Sequence, residues 1–168
     1  MSISISFGST NLGISQLLKL SNGNFVLIYE SSNQIVGQAY NNLGQAVGSK
    51  INYGQFKIFS ASSTTSNEIL IVKESLSSGG VDLAKFDSNG NKIYESTFYN
   101  NININSKFSP KISVGTDGNF LIATYYIAVN EADIYFATGN SSSGQLTSTI
   151  GQLPDFKLAS TTTAGEQT

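Results

Sequence analysis

Short apolar runs alternate along the chain with turns rich in Gly, Asn, Asp and Ser. The runs consist largely of β-branched and aromatic residues, a composition that favours strands over helices. No long window has apolar residues at helical spacing without an interrupting cluster of Gly or Asn. The pattern therefore predicts an all-β protein.

The pattern also repeats. Bursts headed by Phe25, Ile69 and Phe120 lie 44 and 51 residues apart, and each is followed by a more polar segment and a second Gly turn. Four antiparallel strands in about 45 to 50 residues are typical of a β-propeller blade. We therefore predict one β-repeat domain over residues 1–159, with β-propeller-like units at 14–55, 56–105 and 106–152. A β-sandwich or a β-prism is the alternative.

Each unit is predicted to hold four strands. They are 14–20, 25–29, 34–40 and 46–53 in the first unit, 56–60, 69–73, 81–86 and 92–99 in the second, and 111–114, 120–126, 133–138 and 145–150 in the third. The segment 25–29 is apolar at every position, which predicts a strand buried on both faces.

The two ends of the chain follow the same pattern. Residues 2–7 resemble a fourth strand, residues 153–158 resemble a first strand, and 160–168 form a polar tail. Propellers usually close with about four to eight blades, so three units are too few for a ring. Three arrangements would accommodate this number of units. Two chains could complete one ring, the chain could be a fragment of a longer array, or the units could pack as a sandwich or prism. Unpaired terminal strands at both ends favour a homo-oligomer that exchanges them.

Charge and composition limit the partners and locations that we expect for the protein. Charged residues make up 12% of the chain, against about 25% in typical proteins, and the net charge is −2. Lysines and acidic residues are spread along the sequence, so there is no basic patch for nucleic acid. No run is long enough to span a membrane, and the first residues lack the pattern of a cleaved signal peptide. We expect no nucleic-acid partner, no membrane insertion, and an extracellular or cell-surface location reached without such a signal, with the cytoplasm as the alternative.

Missing residue types exclude much chemistry. The chain has no His, Cys, Arg or Trp, so Ser-His-Asp and Cys-His systems and ordinary zinc, iron or copper sites cannot be assembled. Glu30 and Glu74 occupy equivalent places after their bursts, where two carboxylates could serve a glycoside hydrolase. Strand ends also carry charge to protect a sheet edge, which is the simpler explanation. We expect a non-catalytic protein without a cofactor, and a carboxylate-dependent hydrolase ranks third.

The turn at 87–91 is a candidate calcium site. Asp87, Asn89 and Asn91 offer oxygen atoms at alternate positions, as in calcium loops. An EF-hand would also need Gly and Glu where the chain has Lys92 and Phe98. A hairpin turn, in which Asn and Gly adopt positive φ, explains the same residues and is the preferred interpretation.

Aromatic residues close to an acidic group form a candidate sugar site. Rings stack on sugar faces, and polar side chains bind the hydroxyls. Tyr125, Tyr126, Asp133 and Tyr135 fall in two consecutive predicted strands. Tyr125 and Tyr126 are adjacent and must alternate between the faces of their strand. Core packing is the alternative role for these rings.

The first unit carries a sequence resemblance. Residues 20–29 read Leu-Ser-Asn-Gly-Asn-Phe-Val-Leu-Ile-Tyr, and 38–48 read Gln-Ala-Tyr-Asn-Asn-Leu-Gly-Gln-Ala-Val-Gly. These segments resemble the blade-like β-repeats of large secreted bacterial adhesins and RTX-type surface proteins, with a partial match in the second unit and a weak one in the third. The resemblance implies a secreted or surface protein with a structural or adhesive role and no catalytic residues. A looser similarity to bulb-type mannose lectins rests on 117–121, where the sugar-holding positions differ. A carbohydrate-binding module is the alternative function, with a glycan as partner.

Overall fold

The computed structural model describes residues 14–55, 58–75, 80–99, 107–128, 131–147 and 151–153. These residues form strands and turns, and no helix among them could cross a membrane. The strands are β1 (Ser15–Lys19), β2 (Phe25–Ser31), β3 (Gln34–Tyr40), β4 (Ala46–Gln55), β5 (Phe59–Ser63), β6 (Ile69–Glu74), β7 (Val81–Phe86), β8 (Lys92–Tyr99), β9 (Lys107–Phe108), β10 (Lys111–Val114), β11 (Asn119–Ala128), β12 (Glu131–Asn140) and β13 (Gly151–Leu153). The predicted all-β class is confirmed.

The strands form three antiparallel sheets in chain order. The first sheet contains β1 to β4, the second β5 to β8, and the third β10 to β13. β9 also belongs to the third sheet, where it pairs with β11 on the same edge as β10. Pro110 lies between these two strands and has no N–H to donate to β11. The predicted four-stranded units are therefore present, as open sheets compatible with propeller-like and sandwich-like stacks.

The first turn of each unit has the same hydrogen-bond pattern. Its first residue donates its N–H to the carbonyl of its fifth, at 2.8, 2.9 and 2.7 Å in the turns 20–24, 64–68 and 115–119. The turns 41–45 and 87–91 repeat this bond at 2.9 and 3.0 Å. The fourth residue of each loop has positive φ, a conformation that Gly and Asn tolerate, and these residues are Gly23, Gly44, Asn67, Gly90 and Gly118.

The three sheets stack face to face, with the second sheet in the middle. A cluster of buried side chains that includes Ile28, Phe59 and Ile71 joins the first and second sheets. Another cluster, which includes Val72 and Phe120, joins the second and third. We call the side of a sheet that faces the next unit its forward face, and the side that faces the preceding unit its rear face. The outer side of the first sheet is its rear face and the outer side of the third sheet is its forward face, because their residues occupy positions equivalent to those of the same face in the middle sheet.

Forward-facing positions are buried until the last sheet. Val26 in β2 and Leu70 in β6 are 7% and 0% exposed, because each packs against the following sheet. Leu121 in β11 is the equivalent residue of the third sheet and is 47% exposed. The forward face of the third sheet therefore presents an apolar side chain to solvent.

Rear-facing positions show the mirror trend. Ala61 in β5 and Ile112 in β10 are 5% and 9% exposed, whereas the equivalent Leu17 in β1 is 64% exposed. A forward face thus meets a rear face at both internal interfaces. The stack is head-to-tail, and its two end faces are one rear face and one forward face.

This arrangement corrects the prediction for β2. Its segment 25–29 is expected to be buried on both faces, but Phe25 and Leu27 remain partly exposed because they lie on the rear face of the end sheet. The expectation holds instead for β6, where residues 69–72 are no more than 2% exposed. Of the three sheets that the structure describes, the middle one alone packs against another of them on each side.

The end of the third unit gives a second correction. Residues 145–150 are predicted as its fourth strand and 153–158 as a separate first strand. In the structure, β13 takes the fourth position and pairs Leu153 with Ile134, while Leu146 forms an isolated bridge to Gly139. Leu146 and Gly151 lie five positions apart, whereas their partners Gly139 and Phe136 lie three positions apart in β12, so the fourth position is not one regular ladder. Residues 148–150 of the predicted strand lie outside the described residues. The predicted segments 2–7, 154–158 and 160–168 lie outside the described residues.

Candidate functional site

The first strands of the three units lie beside one another where the sheets meet. A side-chain oxygen of one strand accepts a hydrogen bond from a backbone N–H of the next. Gln16 Oε1 accepts from the N–H of Ala61 at 2.5 Å, and Ser60 Oγ accepts from the N–H of Ile112 at 3.4 Å. Gln16 and Ser60 are equivalent positions, as are Ala61 and Ile112. One contact therefore joins the first unit to the second and the second to the third.

A neighbouring position strengthens the link between the second and third units. Ser62 Oγ accepts from the N–H of Val114 at 3.2 Å. Each first strand is the edge of its sheet, so its outward N–H groups need partners from outside the sheet. Side chains of the preceding unit supply them. Sequence reasoning missed these residues, although polar side chains recur at these positions of the first strands.

The fourth strands provide another repeated contact. Ile51 of β4 covers Gly90 in the following unit, and Tyr94 of β8 covers Gly144 in the unit after that. A Cβ atom on either glycine would overlap the covering side chain. The Tyr94 hydroxyl also donates to the carbonyl of Ser141 at 3.4 Å. Every unit boundary thus pairs two different surfaces in one fixed direction.

The first turns of the three units line a shared groove of about 480 Å³. Most of its lining comes from the equivalent segments 19–21, 63–65 and 114–116. Ser21, Thr65 and Thr116 place a hydroxyl at the same position of each unit, and Ser21 Oγ donates to the Thr65 carbonyl at 2.7 Å. Hydroxyls and backbone groups of this kind can hydrogen-bond a small polar ligand.

A second groove, of about 590 Å³, lies on the forward face of the third sheet. Its lining includes Leu121, Ser113, Thr138 and Thr147. The equivalent surfaces of the first and second sheets pack against the sheet that follows. This groove is therefore the place where the repeating packing stops.

The candidate calcium residues form a closed turn. Asp87 Oδ1 accepts the N–H groups of Asn89 and Asn91, both at 2.8 Å, and Asp87 Oδ2 accepts from Asn91 Nδ2 at 2.9 Å. These bonds, that from the Asn91 side chain first, lower the pKa of Asp87. Asn91 turns a donor toward the carboxylate, where a cation site would need an acceptor. Among the described residues, no three acidic groups converge on one point. The geometry favours the hairpin interpretation, and calcium binding stays a prediction.

The candidate sugar-binding residues all fall in the β11–β12 hairpin. Tyr126 pairs with Asp133, Tyr125 pairs with Ile134, and Tyr135 pairs with Thr124. Tyr135 packs against the core between the second and third sheets. For Tyr125, Tyr126 and Asp133 the structure describes the backbone alone. The register places Tyr126, Asp133 and Tyr135 at positions of one face of the hairpin and Tyr125 at a position of the other face, and their role in binding stays a prediction.

Glu30 and Glu74 are structurally equivalent, as their spacing predicts. The N–H of Glu30 donates to the carbonyl of Ile14 at 3.0 Å, and the N–H of Glu74 donates to that of Ile58 at 2.9 Å. Glu74 is buried and Glu30 is half-buried. Neither residue lines the two grooves described above.

Ion pairs reinforce the middle sheet. Lys85 is buried, with its Nζ 2.8 Å from Glu68 Oε2. Glu95 Oε1 lies 2.9 Å from Lys73 Nζ, and Glu95 Oε2 lies 2.5 Å from Lys92 Nζ. The hydrogen bond from Lys92, followed by that from Lys73, lowers the pKa of Glu95. The first pair connects β7 to the turn before β6, and the pair of Lys73 with Glu95 connects β6 to β8 within the same sheet.

Comparisons with known proteins leave the family open. No protein-family model matches the sequence, and no curated protein matches it. The resemblance of the first unit to adhesin repeats therefore stays a prediction.

Proposed function

We propose that the protein is a non-catalytic structural or adhesive β-repeat subunit that acts outside the cell or at its surface and self-associates. The head-to-tail stack is the observation that supports this proposal best. Its end faces expose leucines at positions that are buried wherever two sheets meet. Association would remove this apolar surface from water by a packing mode already used twice in the chain.

Sedimentation velocity over a concentration series tests self-association. One chain has a mass of 17.9 kDa. We expect species at multiples of this mass whose share rises with concentration, as mass action requires. A single species of one chain at the highest soluble concentration would contradict the proposal.

Carbohydrate binding is the second candidate, and the hydroxyl-rich groove at the first turns favours it. A glycan array is the direct measurement. Thr65→Val removes a hydroxyl from the groove, and Ser88→Ala removes one from an exposed turn elsewhere and serves as the control. Binding to one class of glycan that weakens in the first variant alone would support this candidate, and no signal across the array would remove it.

A further inference from the structure

We infer that the self-association proposed above, on which this inference rests, is a head-to-tail contact between sheet faces. The rear face of the first sheet in one copy packs on the forward face of the third sheet in a second copy of this chain. The contact differs from an exchange of terminal strands, because the faces of the end sheets pack on each other and no strand of one copy joins a sheet of the other.

The polarity of the stack identifies the occupant. At both internal interfaces a forward face receives a rear face. Among the residues that the structure describes, one face of each kind has no sheet packed on it, and a second copy offers the surface that each of these faces is built to receive. Two forward faces, or two rear faces, would not reproduce either internal interface.

The apolar side chains of the two open faces occupy matching positions. Leu17 is equivalent to Ala61 and Ile112, which pack beneath the forward face of the preceding sheet. Leu121 is equivalent to Leu70, which lies at the forward face of the middle sheet and is fully buried. In the inferred contact, Leu17 of one copy enters the groove beside Leu121 of the other.

The hydrogen bonds between first strands point to the same alignment. Ser113 stands at the position of Ser62, whose hydroxyl accepts from the N–H of Val114. Lys19 is equivalent to Val114, so the Ser113 hydroxyl is placed to accept from the N–H of Lys19 in a second copy. Lys111 stands where Gln16 and Ser60 supply an acceptor, and its ammonium group cannot accept. Ser113 therefore carries the polar part of the contact.

Charge substitutions on the two open faces test this inference. Leu121→Asp places a carboxylate on the forward face, and Leu17→Asp places one on the rear face. Leu43→Asp is the control, because Leu43 is 60% exposed but lies in a turn outside both faces. All three sites are exposed, so the variants are expected to fold, which circular dichroism and a urea melt would verify.

Sedimentation of each variant and of one mixture gives distinct outcomes. We expect each face variant alone to be monomeric and the control to associate like the wild type. An equimolar mixture of the two face variants retains one intact pair of faces, so it is expected to form a two-chain complex that does not grow with concentration.

Other outcomes would overturn the inference. If the wild type associates and both face variants still do, self-association stands but the face contact is wrong. If only one substitution acts, the contact joins like faces. If the mixture stays monomeric, the intact rear face of one variant does not bind the intact forward face of the other, and the inferred contact is wrong. If the control also dissociates, the association is non-specific. A monomeric wild type would remove both the inference and the proposed function.

Discussion

Two glycines with the same backbone conformation but different neighbours allow a test of the packing between units. Gly23 and Gly90 each occupy the fourth position of a five-residue loop, and both have φ of 86°. A Cβ added to Gly23 would meet no atom within 4 Å, whereas one added to Gly90 would overlap the side chain of Ile51. Gly23→Ala is therefore a matched control for Gly90→Ala.

The expected cost of each substitution follows from these surroundings. A left-handed conformation costs a residue with a Cβ atom about 1 to 2 kcal/mol, and this term applies to both variants. Forcing an additional methyl group against a packed neighbour costs about 1 to 3 kcal/mol more. We therefore expect Gly90→Ala to lower the free energy of unfolding by about 1 to 3 kcal/mol more than Gly23→Ala.

A double-mutant cycle assigns the difference to the contact itself. Ile51→Ala removes the Cγ atoms that a Cβ on Gly90 would overlap, while the Cβ of residue 51 stays 3.2 Å away, so most of the extra cost of Gly90→Ala is expected to disappear in that background. Gly23→Ala is expected to cost the same with or without Ile51.

Urea unfolding monitored by circular dichroism and tyrosine fluorescence measures these differences. All variants are made in the Leu121→Asp background, so that the proposed association does not enter the free energy of unfolding. An unchanged m-value confirms that the same transition is compared. Equal costs for the two glycine variants, or a difference that Ile51→Ala leaves undiminished, would refute the packing of β4 on the next unit.

Three further predictions concern ionisable groups. Burial first, and a nearby carboxylate second, raises the pKa of Tyr53 and of Tyr94 to about 12. Each buried phenol therefore stabilises the fold below about pH 10, and this stabilisation is lost as pH rises through about 12. The part of the phenolate absorbance that Tyr53→Phe removes should titrate near pH 12. Titration of that part near pH 10 would contradict burial of this ring. Glu68→Gln leaves the Lys85 ammonium without its carboxylate and should lower the free energy of unfolding in urea by about 1 to 3 kcal/mol, whereas Lys85→Met should stay within about 1 kcal/mol of wild type. Equal costs for the two substitutions would argue against this ion pair. The pKa of Glu95 is lowered, so its ionised carboxylate stabilises the fold above about pH 4.3, and this stabilisation is lost as pH falls. Glu95→Gln should therefore make the free energy of unfolding depend less steeply on pH in the acid range, and an unchanged slope would contradict this prediction.

Local features of the fold were predictable from the sequence. The strands β3, β7, β8 and β10 have the predicted bounds, because Gly and Asn mark the loops beside them. Positive φ is a local requirement that few residues meet, so such loops can be recognised without knowledge of the tertiary structure. The preference for a hairpin at 87–91 rests on the same physics, and the hydrogen bonds of Asp87 support it.

Burial and contacts between units could not be derived in this way. β2 and β6 have similar apolar bursts but different exposure, since the number of neighbouring sheets is a property of the stack. Gln16 and Ser60 look like ordinary polar strand residues until the alignment of one sheet on the next brings each to a backbone N–H. The exposed Leu17 and Leu121 likewise gain meaning only from their buried equivalents.

The direction of these contacts limits how the stack can end. An acceptor side chain on one unit meets an N–H on the next, and a side chain of the fourth strand meets a glycine loop, so the two halves of each contact are different. A dimer in which two like faces meet cannot supply these missing halves, whereas a head-to-tail contact supplies them at every step. Head-to-tail association continues until the rotation between successive units closes a ring, and it forms an open fibre if that rotation does not close. Under the proposed self-association, the twist between neighbouring sheets, rather than any single side chain, therefore decides whether electron micrographs of the wild type contain rings or filaments.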